Sequence, residues 1–174
     1  MLRTRVGYCG GTRANPTYYQ LGDHSEALQV DFDPRLISYD ELLAVAMDEG
    51  SFGGRSYSRQ YRSAVFCHNA DQEQAARKRG LTEVEPLGTF TRAEDYHQKY
   101  YLQQQSGLVG EIYQMFPDDR SFTDSTTAAR LNAAVGGWMP RQRVQQLLPR
   151  MGLSPTAQTL LLRLCKETPA GCSL

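Results

Sequence analysis

The sequence has little that would mark it for a charged partner, a membrane or a metal. Its 174 residues include 19 basic and 19 acidic side chains, so the net charge is zero and nothing favours nucleic acid or anionic lipid. The longest apolar run, residues 160–165, contains Arg163 and is too short for a transmembrane helix. The four cysteines form no Cys-x-x-Cys pair and no cysteine–histidine spacing typical of zinc, so neither a metal nor a cofactor is predicted. Reduced thiols and the lack of an apolar leader predict an intracellular protein, most simply a cytoplasmic one.

The composition is that of a globular protein, with 40% hydrophobic and 22% charged residues. Strand-like patterns occur in "TRVGYCGG", "EALQVDF", "QYRSAVF" and "TEVEPLGTF", with helical segments between and after them. "AEDYHQKYYLQQQ" is predicted to be helical or nearly so. From Ser106 onward, "TTAARLNAAV", "PRQRVQQLL" and "SPTAQTLLLRLCKE" predict three helices. We therefore predict a mixed α+β domain over residues 1–105, with a mixed β-sheet and flanking helices, followed by a helical C-terminal extension over residues 106–174.

Two strand predictions are specific enough to be checked. In "EALQVDF", the alternation predicts a buried face formed by Leu28, Val30 and Phe32. In "RQYRSAVFCHN", the alternation predicts a strand that carries Tyr61. A tyrosine there either packs in the strand or directs its hydroxyl into a reaction site.

Helix ends are predicted from capping residues. Ser38 and Glu41 form a capping-box pattern before "LLAVAM", and Gly50 is predicted to end that helix. Asp71 is predicted to cap the next helix, which should stop at Gly80.

Six stretches carry a resemblance to a known family. They are "RVGYCGG", "NPTYYQL", "HSEALQVDFDP", "ISYDELL", "RQYRSAVF" and "FTRAEDYHQKYYLQ". In this order they resemble the peptide methionine sulfoxide reductase A family over roughly residues 3–102. One such stretch would be weak evidence, whereas six in order are specific.

The resemblance implies thiol-dependent reduction of the S-epimer of methionine sulfoxide, in peptides or as the free amino acid. A cysteine thiolate attacks the sulfoxide sulfur and becomes a sulfenic acid, which a second cysteine converts to a disulfide. A thioredoxin-type reductant then reduces the disulfide. Such chemistry needs a proton donor for the departing oxygen and hydrogen-bond donors around it. It would serve protein repair under oxidative stress.

The resemblance places three functional side chains in this sequence. The acid of the family falls on Glu26, and its two hydroxyl donors fall on Tyr18 and Tyr61. The alternative for each is structural: Tyr61 packs in a strand and Glu26 lies on a solvated edge. The surrounding motifs favour the functional placement.

The sequence also departs from the family pattern. The family's nucleophile lies in a Gly-Cys-Phe-Trp-Gly motif, and we expect this segment to be missing, since the chain starts at Met1 after the position where it would lie. The loop between Tyr18 and Glu26 is shorter than in the family, and a family aspartate falls on Ser56. Each departure is expected to weaken activity.

The cysteines have competing interpretations. Cys9 and Cys67 lie in strand-like segments and are predicted to pack. Cys165 and Cys172, in "CKETPAGCSL", are candidate recycling cysteines, because family members often carry such residues in a C-terminal tail. The alternative for Cys165 is burial on the apolar face of its helix, and the alternative for Cys172 is an idle thiol.

The histidines carry less information. Glu94 and His97 have the Glu-x-x-His spacing of a metal ligand pair, but di-iron bundles need two such motifs, so His97 is predicted to be structural. His24 is expected to orient the loop before Glu26.

Three hypotheses stay open at this point. The chain is an incomplete form of an active reductase, or it is a catalytically silent relative that acts as a binding or regulatory module, or Cys9 has been recruited as the nucleophile. The first is favoured over the second, and the third is the least favoured.

Overall fold

The computed structural model describes residues 2–48 and 58–165. Its strands are β1 (Arg3–Cys9), β2 (Ser25–Asp31), β3 (Val65–Cys67), β4 (Val84–Pro86) and β5 (Thr91–Arg92). Its helices are α1 (Tyr39–Asp48), α2 (Ala70–Lys78), α3 (Tyr100–Gln103), α4 (Ser106–Met115), α5 (Asp119–Asp124), α6 (Thr126–Val135), α7 (Arg141–Leu147) and α8 (Pro155–Leu164). Single 3₁₀ turns occur at Arg59–Tyr61, Asp95–His97 and Leu148–Arg150. The predicted α+β class with a helical C-terminal part is confirmed.

The described residues form two compact units. The first comprises residues 5–48 and 58–94, and the second comprises residues 2–4 and 95–165. The predicted division at residue 106 stays a prediction. In the part of the chain that the structure describes, no helix has the length and apolar character needed to cross a membrane.

The first unit contains two small sheets. One has the order β2–β1–β5, with Gly7 opposite Arg92 in an antiparallel pair. The other pairs β3 with β4 in parallel, with Val65 opposite Val84. Gly7 has no room for a side chain, since a Cβ atom would lie 2.4 Å from the Phe90 ring.

Helix capping in the first unit follows the predictions except at one residue. The Ser38 N–H donates to a Glu41 carboxylate oxygen (2.8 Å) and the Glu41 N–H donates to Ser38 Oγ (3.2 Å), so the capping box at α1 is confirmed. The prediction that Asp71 caps α2 is wrong. Asn69 is the cap, because its Oδ1 accepts from the Gln72 N–H at 2.9 Å. The helix stops before Gly80, whose φ of 84° suits glycine.

Both specific strand predictions need correction. Tyr61 does not lie in a strand but ends a 3₁₀ turn, and β3 begins only at Val65. β3 begins at Val65 because its partner β4 is short. The Val65 N–H donates to the carbonyl of Glu83, the residue just before β4. In β2 the predicted buried face is also wrong, since Leu28 is 62% exposed and Ser25, on the opposite face, is buried.

The predicted helix "AEDYHQKYYLQQQ" forms in two pieces. A 3₁₀ turn covers Asp95–His97 and α3 covers Tyr100–Gln103. Lys99 separates them with a left-handed backbone, at a φ of 51°. A non-glycine residue in this region interrupts a helix because the left-handed conformation breaks the hydrogen-bond ladder.

The second unit is built from helices. The three predicted helices correspond to α6, α7 and α8, which confirms them, while α4 and α5 were not predicted. Ser125 and Ser154 cap α6 and α8 by accepting from the backbone N–H three residues later. The buried side chains of this core are Leu102, Leu108, Ile112, Phe122, Ala128, Leu131, Ala134, Val144, Leu147, Met151, Leu153, Ala157, Leu161 and Cys165.

Candidate functional site

Tyr18 sits in a tight turn between β1 and β2. The turn is closed by Thr17 and Gln20, whose backbone groups bond to each other. It is entered through Asn15, which has a φ of 48°, a conformation that asparagine tolerates better than most residues. The Tyr18 N–H donates to Glu94 Oε1 at 3.0 Å, and the side chain is 38% exposed.

The side chain of Gln60 bridges Glu26 and Tyr61. Glu26 lies on the exposed face of β2, next to the buried Ser25. The Gln60 Nε2 group donates to Glu26 Oε1 at 2.6 Å and to the Tyr61 hydroxyl at 3.0 Å. Because Gln60 and Tyr61 belong to the same 3₁₀ turn, this turn brings a hydroxyl and an amide to the carboxylate of β2.

Tyr18 completes the cluster. Its hydroxyl lies near enough to that of Tyr61 to contribute to the raised pKa of Tyr61. The nearby negative charge of Glu26 is the main cause that raises the pKa of Tyr61 above its ordinary value, and a partial loss of hydration and the neighbouring Tyr18 are smaller causes. The structure therefore brings together the three side chains that the sequence singled out, and it places them at an exposed surface, since Tyr61 is 61% exposed.

An arginine network fixes the base of the cluster. The Arg62 guanidinium binds the Glu85 carboxylate through two nitrogens, and its Nε donates to Ser25 Oγ at 2.8 Å. Ser25 Oγ in turn donates to the Arg59 carbonyl at 2.9 Å. Ser25 precedes Glu26 and Arg62 follows Tyr61, so these bonds hold the start of β2 against the 3₁₀ turn. The Arg62 hydrogen bonds are the main cause that lowers the pKa of Glu85.

The loop before β2 is anchored by His24 and Asp23. His24 is 3% exposed, with Nε2 2.8 Å from the Arg13 carbonyl, while the Gly11 N–H donates to Nδ1 at 3.3 Å. The Asp23 carboxylate accepts from the backbone N–H groups of Thr12 and Arg13, and the Thr12 bond is the main cause that lowers its pKa to about 2. His24 thus orients the loop that leads to Glu26, as expected.

The described cysteines are poor nucleophiles. Cys9 is 1% exposed, and burial raises its pKa to about 11, so it carries a neutral thiol at physiological pH. Cys67 is 5% exposed, and burial is likewise the main cause that raises its pKa. The predicted packing of both residues is confirmed.

Of the two candidate recycling cysteines, Cys165 lies among the described residues and Cys172 does not. Cys165 follows the last residue of α8 and is 4% exposed, and burial is the main cause that raises its pKa. This is the environment of a packing residue. Cys172, like Gly50 and Ser56, lies outside the described residues. The recycling role of Cys165 and Cys172 stays a prediction.

Three residues around the cluster had no predicted role in it. Gln60 and Arg62 flank Tyr61 within "RQYRSAVF", and Glu94 lies in "AEDYHQ". Their positions inside the resembling stretches were a usable signal, because polar residues beside a proposed site are candidates for orienting it. Among residues 2–48 and 58–165, no group of three histidine, cysteine or acidic side chains could hold a metal ion.

Comparison with known proteins settles the family. The sequence profile of the family described as "Peptide methionine sulfoxide reductase" matches residues 1–130. The chain belongs to the peptide methionine sulfoxide reductase family. The match covers the whole cluster and extends past residue 105 into the helical part, beyond the stretches that first suggested the resemblance.

Named relatives agree with the profile. The chain is 38% identical over 150 residues to peptide methionine sulfoxide reductase A5 of Oryza sativa subsp. japonica, covering 76% of this chain and 58% of the rice protein. It is 34% identical to the peptide methionine sulfoxide reductase of Drosophila melanogaster, covering 90% of this chain and 68% of the fly protein. The chain therefore spans about three fifths to two thirds of the length of these reductases.

Among solved structures, methionine sulfoxide reductase A of Corynebacterium diphtheriae is similar. It is 31% identical with a TM-score of 0.46, and the alignment covers 60% of this chain and 64% of the other.

Proposed function

We propose that this member of the reductase family binds the sulfoxide group of oxidised methionine at Tyr18, Glu26 and Tyr61, and that the site serves thiol-dependent reduction of peptide methionine (S)-sulfoxide to methionine. The observation that carries the proposal is the convergence of two tyrosine hydroxyls and one carboxyl group at an exposed surface. Oxidised methionine in proteins and free methionine sulfoxide are the substrates that fit it.

The cluster matches the chemistry of a sulfoxide. The sulfoxide oxygen carries partial negative charge and can only accept hydrogen bonds, so the hydroxyls of Tyr18 and Tyr61 are suitable donors. As the S–O bond breaks, negative charge grows on that oxygen, and donors already in place stabilise it. In this proposal Glu26 supplies the proton that the oxygen needs to leave, which requires that its carboxylate first take up a proton.

The reducing electrons must come from thiols. A thiolate attacks the sulfoxide sulfur, the sulfoxide is reduced to the thioether, and the thiol becomes a sulfenic acid. A second thiol displaces water from the sulfenic acid and forms a disulfide. Overall, sulfoxide and dithiol give thioether, disulfide and water, with a thioredoxin-type dithiol as the final reductant.

None of the described cysteines suits the first step. Cys9, Cys67 and Cys165 are buried and their pKa values are raised, so each favours the thiol over the thiolate. We accordingly expect that none of these three thiols reduces a sulfoxide in the presence of dithiothreitol. Turnover should appear when a segment containing the Gly-Cys-Phe-Trp-Gly motif is joined before Met1.

The burial of these thiols also favours a second candidate function. A catalytically silent relative would keep the sulfoxide-binding cluster and act as a binding or regulatory module. The extended chain separates the two, because recovered turnover supports the reductase and its absence, with binding intact, supports the module.

The proposal includes a cellular compartment for the protein. Cys9, Cys67 and Cys165 are free thiols. Free thiols suit a reducing intracellular compartment, and we place the protein in the cytoplasm, where it would repair oxidised proteins. Residues 1–105 would then form the catalytic-type domain and residues 106–174 the helical extension.

Calorimetric titration tests the binding directly. N-acetyl-methionine-(S)-sulfoxide methylamide should bind, whereas the methionine analogue, which lacks the oxygen, should not. Tyr18→Phe and Tyr61→Phe should each weaken binding by about fivefold, the equivalent of one hydrogen bond. Tyr19→Phe is the matched control, since Tyr19 neighbours Tyr18 but is 88% exposed. Equal affinity for the sulfoxide and the thioether would contradict the proposal.

A further inference from the structure

Glu94 connects the loop of Tyr18 to Tyr8, a buried residue of β1. Its Oε1 accepts from the Tyr18 N–H at 3.0 Å, and its Oε2 accepts from the Tyr8 hydroxyl at 2.6 Å. Tyr8 is 2% exposed and belongs to a buried cluster with Leu21 and Ala93. One carboxylate therefore ties an exposed turn to a fixed point in the core.

The bonds of Glu94 fix the position of the Tyr18 backbone, from which the Tyr18 side chain extends. Tyr18 lies in a short turn whose other backbone bonds, between Thr17 and Gln20, close the turn on itself. The bond from the Tyr18 N–H to Glu94 instead reaches a residue 76 positions away. Two hydrogen bonds from one side chain, one of them to a buried residue, can fix a turn that packing alone leaves exposed.

We propose that Glu94 is a positioning residue for Tyr18: its carboxylate holds the Tyr18 turn against β1, so that the Tyr18 hydroxyl reaches Tyr61. This inference rests on the proposed function, because it assigns Glu94 to the same sulfoxide-binding cluster. Glu94 acts through Tyr18 and does not itself touch the substrate.

The proposal predicts how substitutions at Glu94 rank. Glu94→Ala removes both bonds and frees the turn. Glu94→Gln keeps a carbonyl oxygen for the Tyr18 N–H and offers an N–H to the Tyr8 hydroxyl oxygen, so it should preserve the position while removing the charge. Tyr8→Phe removes one of the two bonds and gives a milder variant in case Glu94→Ala fails to fold.

The titration of Tyr61 reports the position of Tyr18 without any substrate. Tyr18 is among the causes that raise the pKa of Tyr61, after the charge of Glu26 and a partial loss of hydration. If Tyr18 moves away, that contribution is lost, so the pKa of Tyr61 should fall. The ring carbon of Tyr61, observed by NMR in protein labelled with ¹³C-tyrosine, gives this pKa directly.

The experiment combines this titration with binding of N-acetyl-methionine-(S)-sulfoxide methylamide. Glu94→Ala should lower the pKa of Tyr61 and weaken binding by about fivefold, the loss of one hydrogen bond. Glu94→Gln should restore both the pKa of Tyr61 and the affinity. Tyr8→Phe should give values between those of Glu94→Ala and the unmodified protein. Glu111→Ala is the matched control, because Glu111 also accepts from one backbone N–H and one hydroxyl, both of Ser154 in the second unit.

Each outcome decides the question. An unchanged Tyr61 titration in Glu94→Ala would overturn the proposal, as would an equal loss in Glu94→Gln, which would show that the charge matters and the position does not. If the unmodified protein fails to bind the sulfoxide while Glu94→Ala still shifts the Tyr61 titration, the proposed function is overturned and the positioning of Tyr18 by Glu94 is supported.

Discussion

Replacing Arg62 should destabilise the first unit far more than replacing a comparable surface arginine. The Arg62 side chain is 11% exposed and that of Glu85 is 36% exposed. The guanidinium makes two bonds to Glu85, one to Ser25 and a longer one to Glu83 (3.4 Å), and Arg62→Met would lose all four and leave the Glu85 carboxylate partly buried without its cation. Discounted for the exposure of Glu85, such a loss costs about 2–3 kcal/mol.

Amide hydrogen exchange at Val65 and Leu87 measures this cost within the first unit. The Val65 N–H donates to the Glu83 carbonyl at 2.9 Å and the Leu87 N–H to the Cys67 carbonyl at 2.8 Å, so both amides report on the β3–β4 pair. A loss of about 2–3 kcal/mol corresponds to about 30- to 150-fold faster exchange, at about tenfold for each 1.4 kcal/mol.

Arg79→Met is the matched control for this prediction. Arg79 also binds a carboxylate through two nitrogens, but its partner Asp40 is 60% exposed. An exposed pair contributes about 0–1 kcal/mol, so exchange should accelerate by less than about fivefold. The reasoning is refuted if Arg62→Met accelerates exchange no more than Arg79→Met does.

Two further predictions concern acid and thiol reagents. Arg62 lowers the pKa of Glu85. The pair therefore stabilises the folded protein fully at a pH above the ordinary pKa of a glutamate, and this stabilisation is lost as the pH falls through the lowered pKa. Urea unfolding followed by circular dichroism should therefore show a smaller loss of stability from pH 7 to pH 3 in Arg62→Met than in the unmodified protein; equal losses would argue against the pair. Cys165, buried at the end of α8, should react with iodoacetamide only after denaturation, and labelling of the native protein at that residue would contradict its packing role.

The sequence predicted helices better than it predicted the surroundings of Tyr61. Serine caps at Ser125 and Ser154 and apolar periodicity are local signals, and α6 and α8 follow them. The strand predicted through Tyr61 was wrong because its pairing depends on where β4 begins, which is a non-local fact. Alternation in "RQYRSAVF" fits a strand equally well whether or not a partner strand is present.

Only the family resemblance predicted that the residues of the candidate site lie together. Tyr18, Glu26 and Tyr61 are far apart along the chain, and no periodicity links them. Gln60 and Glu94 were not assigned to the site from the sequence, because their role there depends on distances across the fold, such as the 2.6 Å bond from Gln60 to Glu26. Local patterns carry no information on such contacts.

The preference between the two epimers of methionine sulfoxide tests the central claim most directly. The proposed function assigns the oxygen of the S-epimer to the hydroxyls of Tyr18 and Tyr61 and the carboxyl group of Glu26, and the preference for this epimer is what the family resemblance implies. The measurement is the dissociation constant of each epimer of N-acetyl-methionine sulfoxide methylamide, read from the ¹³C signal of Tyr61. The account predicts that the S-epimer binds at least about tenfold more tightly than the R-epimer, the equivalent of one to two hydrogen bonds. Equal affinities, or epimers that leave the Tyr61 signal unmoved, would contradict it.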